Sequence, residues 1–348
     1  METPMSKETT MKHRIAKLAP LALVPVLALT ACGGASEASS ADAAGTKTLT
    51  VYTSEPQAKI DQVVEAFEKA NPEVDVQVFR AATGELRTRI ATERESGKIQ
   101  ADVLLAADVP TFEAYAADGA LSTLDIGNDE QLDPKFVDAE GYWVGTRIIP
   151  TILAYNTGTV TDAPTSWADL TDEAYRGKIA MPNPEVSGAA AFNTAVWLNE
   201  PALGEAWLKD LAANEPTVLE SNGPVGQAVA DGTAGVGIVV DYVARELADK
   251  GSPIAVNYPS DGVPYVSQPA GVFADAQNPE AANAFVDFLV SKEGQELAVS
   301  QSYLPVRDDA GVPAGAPALS EINLLDPDLE EIAAGQDAAI DFFNSLLG

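Results

Sequence analysis

From Leu49 onward, short apolar runs alternate with amphipathic stretches, a pattern that restricts the chain to sheets covered by helices on both faces. Leu49 to Thr53 reads as a strand, Gln57 to Ala70 as a helix with Ile60, Val63, Val64 and Phe67 on one face, and Val74 to Phe79 as the next strand. Gly84 to Glu95 then reads as a helix, Asp102 to Ala106 as a buried strand and Val109 to Ala117 as a third helix, so a parallel sheet is expected. Trp143 to Asn156 breaks this rhythm. There an apolar run from Ile148 to Tyr155 follows Arg147 without helical period, and reads as one strand crossing into a second region. Beyond it, strands are expected at Ile179 to Met181 and Gly235 to Val240. Helices are expected at Gly188 to Leu198, Leu203 to Ala212, Gly223 to Ala230 and Tyr242 to Lys250. Ile254 to Asn257 and Gly271 to Phe273 read as strands returning toward the first region, followed by helices at Pro279 to Val290 and Lys292 to Gln301.

The chain has 348 residues, a length at which one hydrophobic core stops growing and two lobes are expected. Its formal charge of -31, with no basic stretch after residue 17, excludes nucleic acid as a partner, since neutralising phosphates takes clustered Lys and Arg. The only histidine is His13 and the only cysteine Cys32. A Ser-His-Asp triad, a Cys-His pair, a His-ligated zinc and a structural disulfide therefore have no residues to use in the body of the protein.

Lys12, His13, Arg14 and Lys17 form a basic stretch ahead of an apolar one, Leu18 to Leu29, that is short for a membrane span. Residues 1–31 read as an export signal, with Met1 and Met11 both open as its start. Leu29-Thr30-Ala31-Cys32 followed by Gly33 and Gly34 resembles a bacterial lipoprotein lipobox, in which Cys32 is lipidated and becomes the first residue. Cleavage there removes Lys7, Lys12, Arg14, Lys17, Glu2 and Glu8, and leaves a body of 317 residues with 17 basic and 50 acidic side chains, a charge of -33. Residues 32–47 are small and polar and read as a flexible tether.

Five segments carry a wider resemblance: Leu-Thr-Val-Tyr-Thr-Ser at 49–54, Ala-Asp-Val-Leu-Leu-Ala at 101–106, Leu-Ala-Tyr-Asn-Thr at 153–157, Met-Pro-Asn-Pro-Glu-Val-Ser-Gly at 181–188, and Pro279-Glu280-Ala281-Ala282 leading through Phe285-Val286-Asp287-Phe288-Leu289 to Ser291-Lys292-Glu293-Gly294-Gln295. In this order they are similar to the solute-binding proteins of bacterial ABC importers, in the branch of ferric-ion, phosphonate and sugar-phosphate binders. The resemblance implies an α/β, two-lobed periplasmic-binding-protein-like fold of type II, with parallel-type sheets flanked by helices and a crossing-strand hinge. Lobe 1 is expected over 48–148 plus about 258–310, lobe 2 over 149–257, and a C-terminal helical segment packing on the lobes over 311–348. It further implies a monomer without enzymatic activity or cofactor, held by Cys32 at the outer face of the cytoplasmic membrane, that delivers a small solute to an ABC permease.

Ser54, Thr83-Gly84 and Ser187-Gly188-Ala189 each stand at a helix start, where unpaired amides and the positive end of the dipole suit an anion. The resemblance gives Ser187 an anion-holding role and places Asn222 at a similar family position. Arg147 opens the crossing strand, where a guanidinium suits an oxyanion, although a surface ion pair accounts for it equally. A phosphate-, phosphonate- or carboxylate-bearing solute is therefore expected, with Tyr242 stacking on it or hydrogen-bonding to it. Ferric iron is the alternative. The family's iron binders use an adjacent tyrosine pair where this chain reads Asp241-Tyr242-Val243, which leaves Tyr242 with Asp241 or Glu85 as a sparse set. A Ser-Lys or paired-carboxylate enzyme and a structural scaffold are the remaining classes. No Lys lies near Ser187 in sequence, and the body shows no repeats.

Overall fold

The computed structural model describes residues 46–127 and 131–347, so the export signal, Cys32 and the tether up to residue 45 lie outside the described residues. The first sheet takes β1 (Lys47–Thr53), β2 (Val74–Arg80), β3 (Val103–Leu105), β4 (Leu121–Ser122) and β5 (Val144–Gly145). Between them run α1 (Gln57–Ala70), α2 (Thr83–Glu95) and α3 (Val109–Ala117). Leu49 and Val51 face one side of β1 and meet Ile60, Val63 and Phe67, which recur at helical spacing on α1, so one apolar stripe closes over one pleated face.

The second sheet begins with β6 (Ile149–Asn156) and continues through β7 (Ile179–Pro182), β8 (Thr217–Leu219), β9 (Val236–Val240), β10 (Ile254–Asn257) and β11 (Tyr265–Val266). Its helices are α4 (Gly188–Asn199), α5 (Gly204–Ala213), α6 (Asn222–Ala230) and α7 (Asp241–Asp249). The chain then returns as β12 (Pro269–Phe273), followed by α8 (Pro279–Val290), α9 (Lys292–Ser300) and α10 (Leu329–Leu347).

Strand order is β2-β1-β3-β12-β4 in the first sheet, with β5 on β12, and β10-β6-β9-β7-β8 in the second, with β11 on β6. The β1, β2 and β3 pairings are parallel, as are β7 with β8 and β9, which agrees with the expected βα series. Each sheet also holds an antiparallel strand that arrives from the other lobe: β12 runs against β3, and β6 against β9. Such a strand enters its sheet with no covering helix before it, so nothing obliges it to run parallel.

The expectation of a single crossing strand from Trp143 to Asn156 is corrected here. Pairing is handed over at 146–148, between β5 in one sheet and β6 in the other, because both the Thr146 and Arg147 amides turn to the Ser267 carbonyl, at 2.9 and 3.2 Å. Ile148 then bridges to Leu304, which brings a third chain segment to the hinge. The returning strand is β12. β10, expected to return as well, stays at the edge of the second sheet against β6. Gln295 locks the junction: its amide donates to the carbonyls of Thr146 (2.6 Å) and Leu289 (2.7 Å), and its carbonyl accepts from the Val306 amide (2.8 Å).

α10 lies on both lobes. On the first, Gln336 donates to Asp108 at 3.1 Å and Asp337 pairs with Arg87 at 3.0 Å. On the second, Asn344 donates to Glu185 at 2.8 Å, and Phe343 is fully buried in a cluster with Trp167, Trp197 and Trp207.

Candidate functional site

A cavity of about 410 Å³ opens between the two lobes, within the range of small-molecule sites. Five helix starts converge on it: Ser54 to Pro56 before α1, Ala82 and Thr83 at α2, Ser187 to Ala189 at α4, Ser221 to Gly223 at α6, and Val240 and Tyr242 at α7. The parallel strands place them there, since β1, β2, β7 and β9 all end toward the cleft and each hands over to a helix at that edge.

Of the residues read from the sequence, Ser54, Thr83, Ser187, Gly188, Ala189, Asn222 and Tyr242 line the cavity. Ser187 caps α4, its hydroxyl accepting from the Ala190 amide at 3.4 Å and from the Asn222 side chain at 3.1 Å, while the Asn222 carbonyl accepts from the Val240 amide at 3.1 Å. These bonds fix both side chains, and each keeps a donor hydrogen in reserve. The Ser54 hydroxyl accepts from the Ala107 amide at 3.3 Å.

Gly188 has a role the sequence did not disclose. A Cβ there would lie 2.3 Å from the Ala107 carbonyl oxygen and 2.9 Å from the Thr83 side chain, both on the opposite lobe. Gly84 is off the cavity wall and makes the reciprocal contact, its hypothetical Cβ 2.2 Å from the Glu185 carbonyl oxygen. The lobes thus touch through two glycines.

Arg147, expected to face the solute, is not on the wall. It is buried behind it, with its guanidinium 3.2 Å from the Glu55 carboxylate and 4.9 Å from the Tyr303 ring centre. Nη1 makes that ion pair without hydrogen-bond geometry, and Nε donates to the Thr146 hydroxyl at 3.3 Å. Neither reading made from the sequence holds, because the partner is a buried carboxylate rather than a solute or a surface acid. Glu55 also accepts from the Tyr303 hydroxyl at 2.6 Å and from the Gln268 amide at 2.7 Å, so its charge is satisfied on every side.

The candidate metal set does not assemble. Asp241 is buried away from the cavity, held by Arg245 at 2.9 Å and by the Tyr258 hydroxyl at 3.1 Å, and Glu85 is exposed and off the wall. Only Tyr242 of the three is present. Burial, with Glu55 nearby, raises the Tyr242 phenol above its ordinary value, and the same two causes raise Tyr303. No group of three His, Cys, Asp or Glu side chains is placed to hold a metal among the described residues.

Sequence reasoning missed Glu55, Lys59, Arg80, Gln268 and Tyr303, all on the wall. Lys59 points from α1 between the rings of Tyr242 and Tyr303, its ammonium 4.0 and 3.9 Å from their centres, and bonds to the Gln301 carbonyl (2.6 Å) and the Glu246 carboxylate (2.8 Å). Arg80 donates to the Glu55 carbonyl at 3.3 Å. The signal available for Lys59 was a lone lysine on the first turn of a helix that opens toward the cleft; Gln268 and Tyr303 reach the site from the hinge and left none.

A cleft of this kind defines a protein that encloses a solute between two lobes. The chain belongs to the bacterial extracellular solute-binding protein family, whose profile matches residues 98–333. The Fe(3+)-binding periplasmic protein of Serratia marcescens is 25% identical over 296 residues, covering 82% of this chain and 85% of that one. Among solved structures, AfuA of Actinobacillus pleuropneumoniae with exogenous fructose-6-phosphate bound is 25% identical at a TM-score of 0.77, covering 86% and 98%. Iron-bound HitA of Pseudomonas aeruginosa shares the fold at a TM-score of 0.76 and 22% identity, covering 86% and 99%. These are binding proteins, and the chain is a bacterial extracellular solute-binding protein. No helix among the described residues is long and apolar enough to cross a membrane.

Proposed function

We propose that this protein is anchored through Cys32, captures a small phosphate-, phosphonate- or carboxylate-bearing solute in the inter-lobe cavity and presents it to its permease. The supporting observation is the convergence of five helix starts on one cavity whose buried carboxylate, Glu55, is already neutralised. The leading amides of a helix have no intrahelical acceptor, and their dipoles favour negative charge. Lys59 and Arg80 add cationic charge to the same wall. The sugar phosphate held by the Actinobacillus neighbour is a solute of this chemistry. At 0.1 M salt, screening over about 10 Å leaves affinity to these local donors, while the net charge of the body slows encounter.

The test is a thermal-shift screen of sugar phosphates, phosphonates, dicarboxylates and ferric citrate against the folded chain, since a ligand that binds only the native state raises its stability. A shift with a phosphate, phosphonate or carboxylate is expected, and none with ferric citrate beyond that of iron-free citrate; a shift that requires the iron would refute the reading. Cys32→Ala should release the protein from the membrane fraction with solute affinity unchanged.

A further inference from the structure

The niche holding the Lys59 ammonium is built for a cation. Two tyrosine faces, the Gln301 carbonyl and the Glu246 carboxylate surround the nitrogen, with ring distances of 4.0 and 3.9 Å and oxygen distances of 2.6 and 2.8 Å. Aromatic faces attract cations through their quadrupole, and more strongly where water is excluded. The Lys59 side chain is only 12% exposed, so its ammonium is part of the wall. Glu55, on the same turn as the start of α1, is joined to this niche through the Tyr303 hydroxyl.

We propose that Lys59 determines what the cleft accepts: its ammonium fills the cation niche between Tyr242 and Tyr303, keeps a metal ion out of it, and offers its remaining N–H to the anionic group of the solute. This deepens the anion reading above and rests on it. A ferric ion would have to displace an ammonium from a carboxylate and a carbonyl, and would find Glu246 as the one carboxylate bonded at this niche, too few anionic oxygens for a hard trivalent ion. An anion entering from the helix starts meets instead a fixed, partly desolvated positive charge, where a charge-assisted hydrogen bond is stronger than in water.

The experiment uses the full chain as wild type, Lys59→Ala and Lys59→Met, the last keeping the aliphatic stem. Thermal melts establish that each variant folds. Ferric nitrilotriacetate is added and the visible tyrosinate-to-iron charge-transfer absorbance read; fructose 6-phosphate and inorganic phosphate are titrated by calorimetry. The expected result is no absorbance in wild type, a new band in Lys59→Ala, and phosphate-probe affinity lowered at least about tenfold in both variants. A band in wild type, its absence from folded Lys59→Ala, or variants that bind the phosphate probe as wild type does, would overturn the role of Lys59. If wild type binds neither phosphate probe, these phosphates leave the proposed solute class whatever Lys59 does, and the iron absorbance still decides whether Lys59 excludes the metal.

Discussion

The two walls of the cleft do different work with different chemistry. The first-lobe wall carries its charge on side chains, Glu55, Lys59 and Arg80, and ties them into the hinge through Arg147, Gln268 and Tyr303. The second-lobe wall around Ser187, Gly188 and Asn222 offers hydroxyl, amide and backbone donors, arranged by one another and by the starts of α4 and α6, and its own charges, Glu246 and Lys250, stand apart from these donors at α7 and just beyond it, where Glu246 meets Lys59. Charge that is bonded to the hinge can report occupancy to it, whereas neutral donors on a rigid helix start give geometry without a long-range field. The contrast assigns stability and coupling to one wall and close fit to the other.

Replacing Glu55 with Gln tests the first assignment most severely. It leaves the Arg147 guanidinium buried without a counter-charge, and should cost about 3–5 kcal/mol in urea unfolding. A loss under about 1 kcal/mol, of the size of an exposed pair, would mean that the hinge does not depend on this network. Gly188→Val tests the second wall. Its Cβ would collide with the Ala107 carbonyl across the cleft, so affinity for the solute found in the screen should fall about hundredfold or more, while lobe-core stability changes little. Small-angle scattering should show no compaction of this variant with solute; wild-type affinity would show that the lobes close without this contact. The smallest effect concerns pH. Lys59 is faced by Glu246, Tyr242, Tyr303, Glu55 and Arg147, and burial lowers its ammonium below the ordinary lysine value. The protonated form meets the anion, so affinity should decline as pH rises through that lowered value. A flat profile up to the ordinary lysine value would remove Lys59 from direct contact.

Local pattern carried most of the architecture. α1 over Gln57–Ala70 and α8 over Pro279–Val290 are found where apolar spacing and flanking residues place them, and β1 extends only two residues beyond its reading, to Lys47. What was not legible is what long-range pairing decides. The strand from Trp143 to Asn156 looks continuous because both halves are apolar, and only Ser267 and Leu304 show where it changes sheets. Arg147 looked available for a solute because its partner Glu55 belongs to another turn of the fold. The helix starts around Ser54, Thr83 and Ser187 were readable because hydroxyls and small residues before a helix are a local signature. Tyr303 and Gln268 come to the wall from irregular hinge backbone, with φ of 39° at Gln268 and 71° at the neighbouring Ser302, and no periodicity announces such residues.

The place of β12 in the first sheet bears on the order in which the chain can assemble. β12 lies between β3 and β4, in the interior of that sheet, yet it is made only after every strand of the second sheet, from β6 to β11. The second lobe is nearly continuous in sequence and can gather its three tryptophans before α10 adds Phe343 to them, whereas the first lobe keeps an open edge at β3 until residues 269–273 arrive. An exported chain emerging N-terminus first therefore exposes the apolar strand β3, Val-Leu-Leu, during its passage, and its dependence on folding helpers outside the membrane should be concentrated in the half of the protein that was synthesised first.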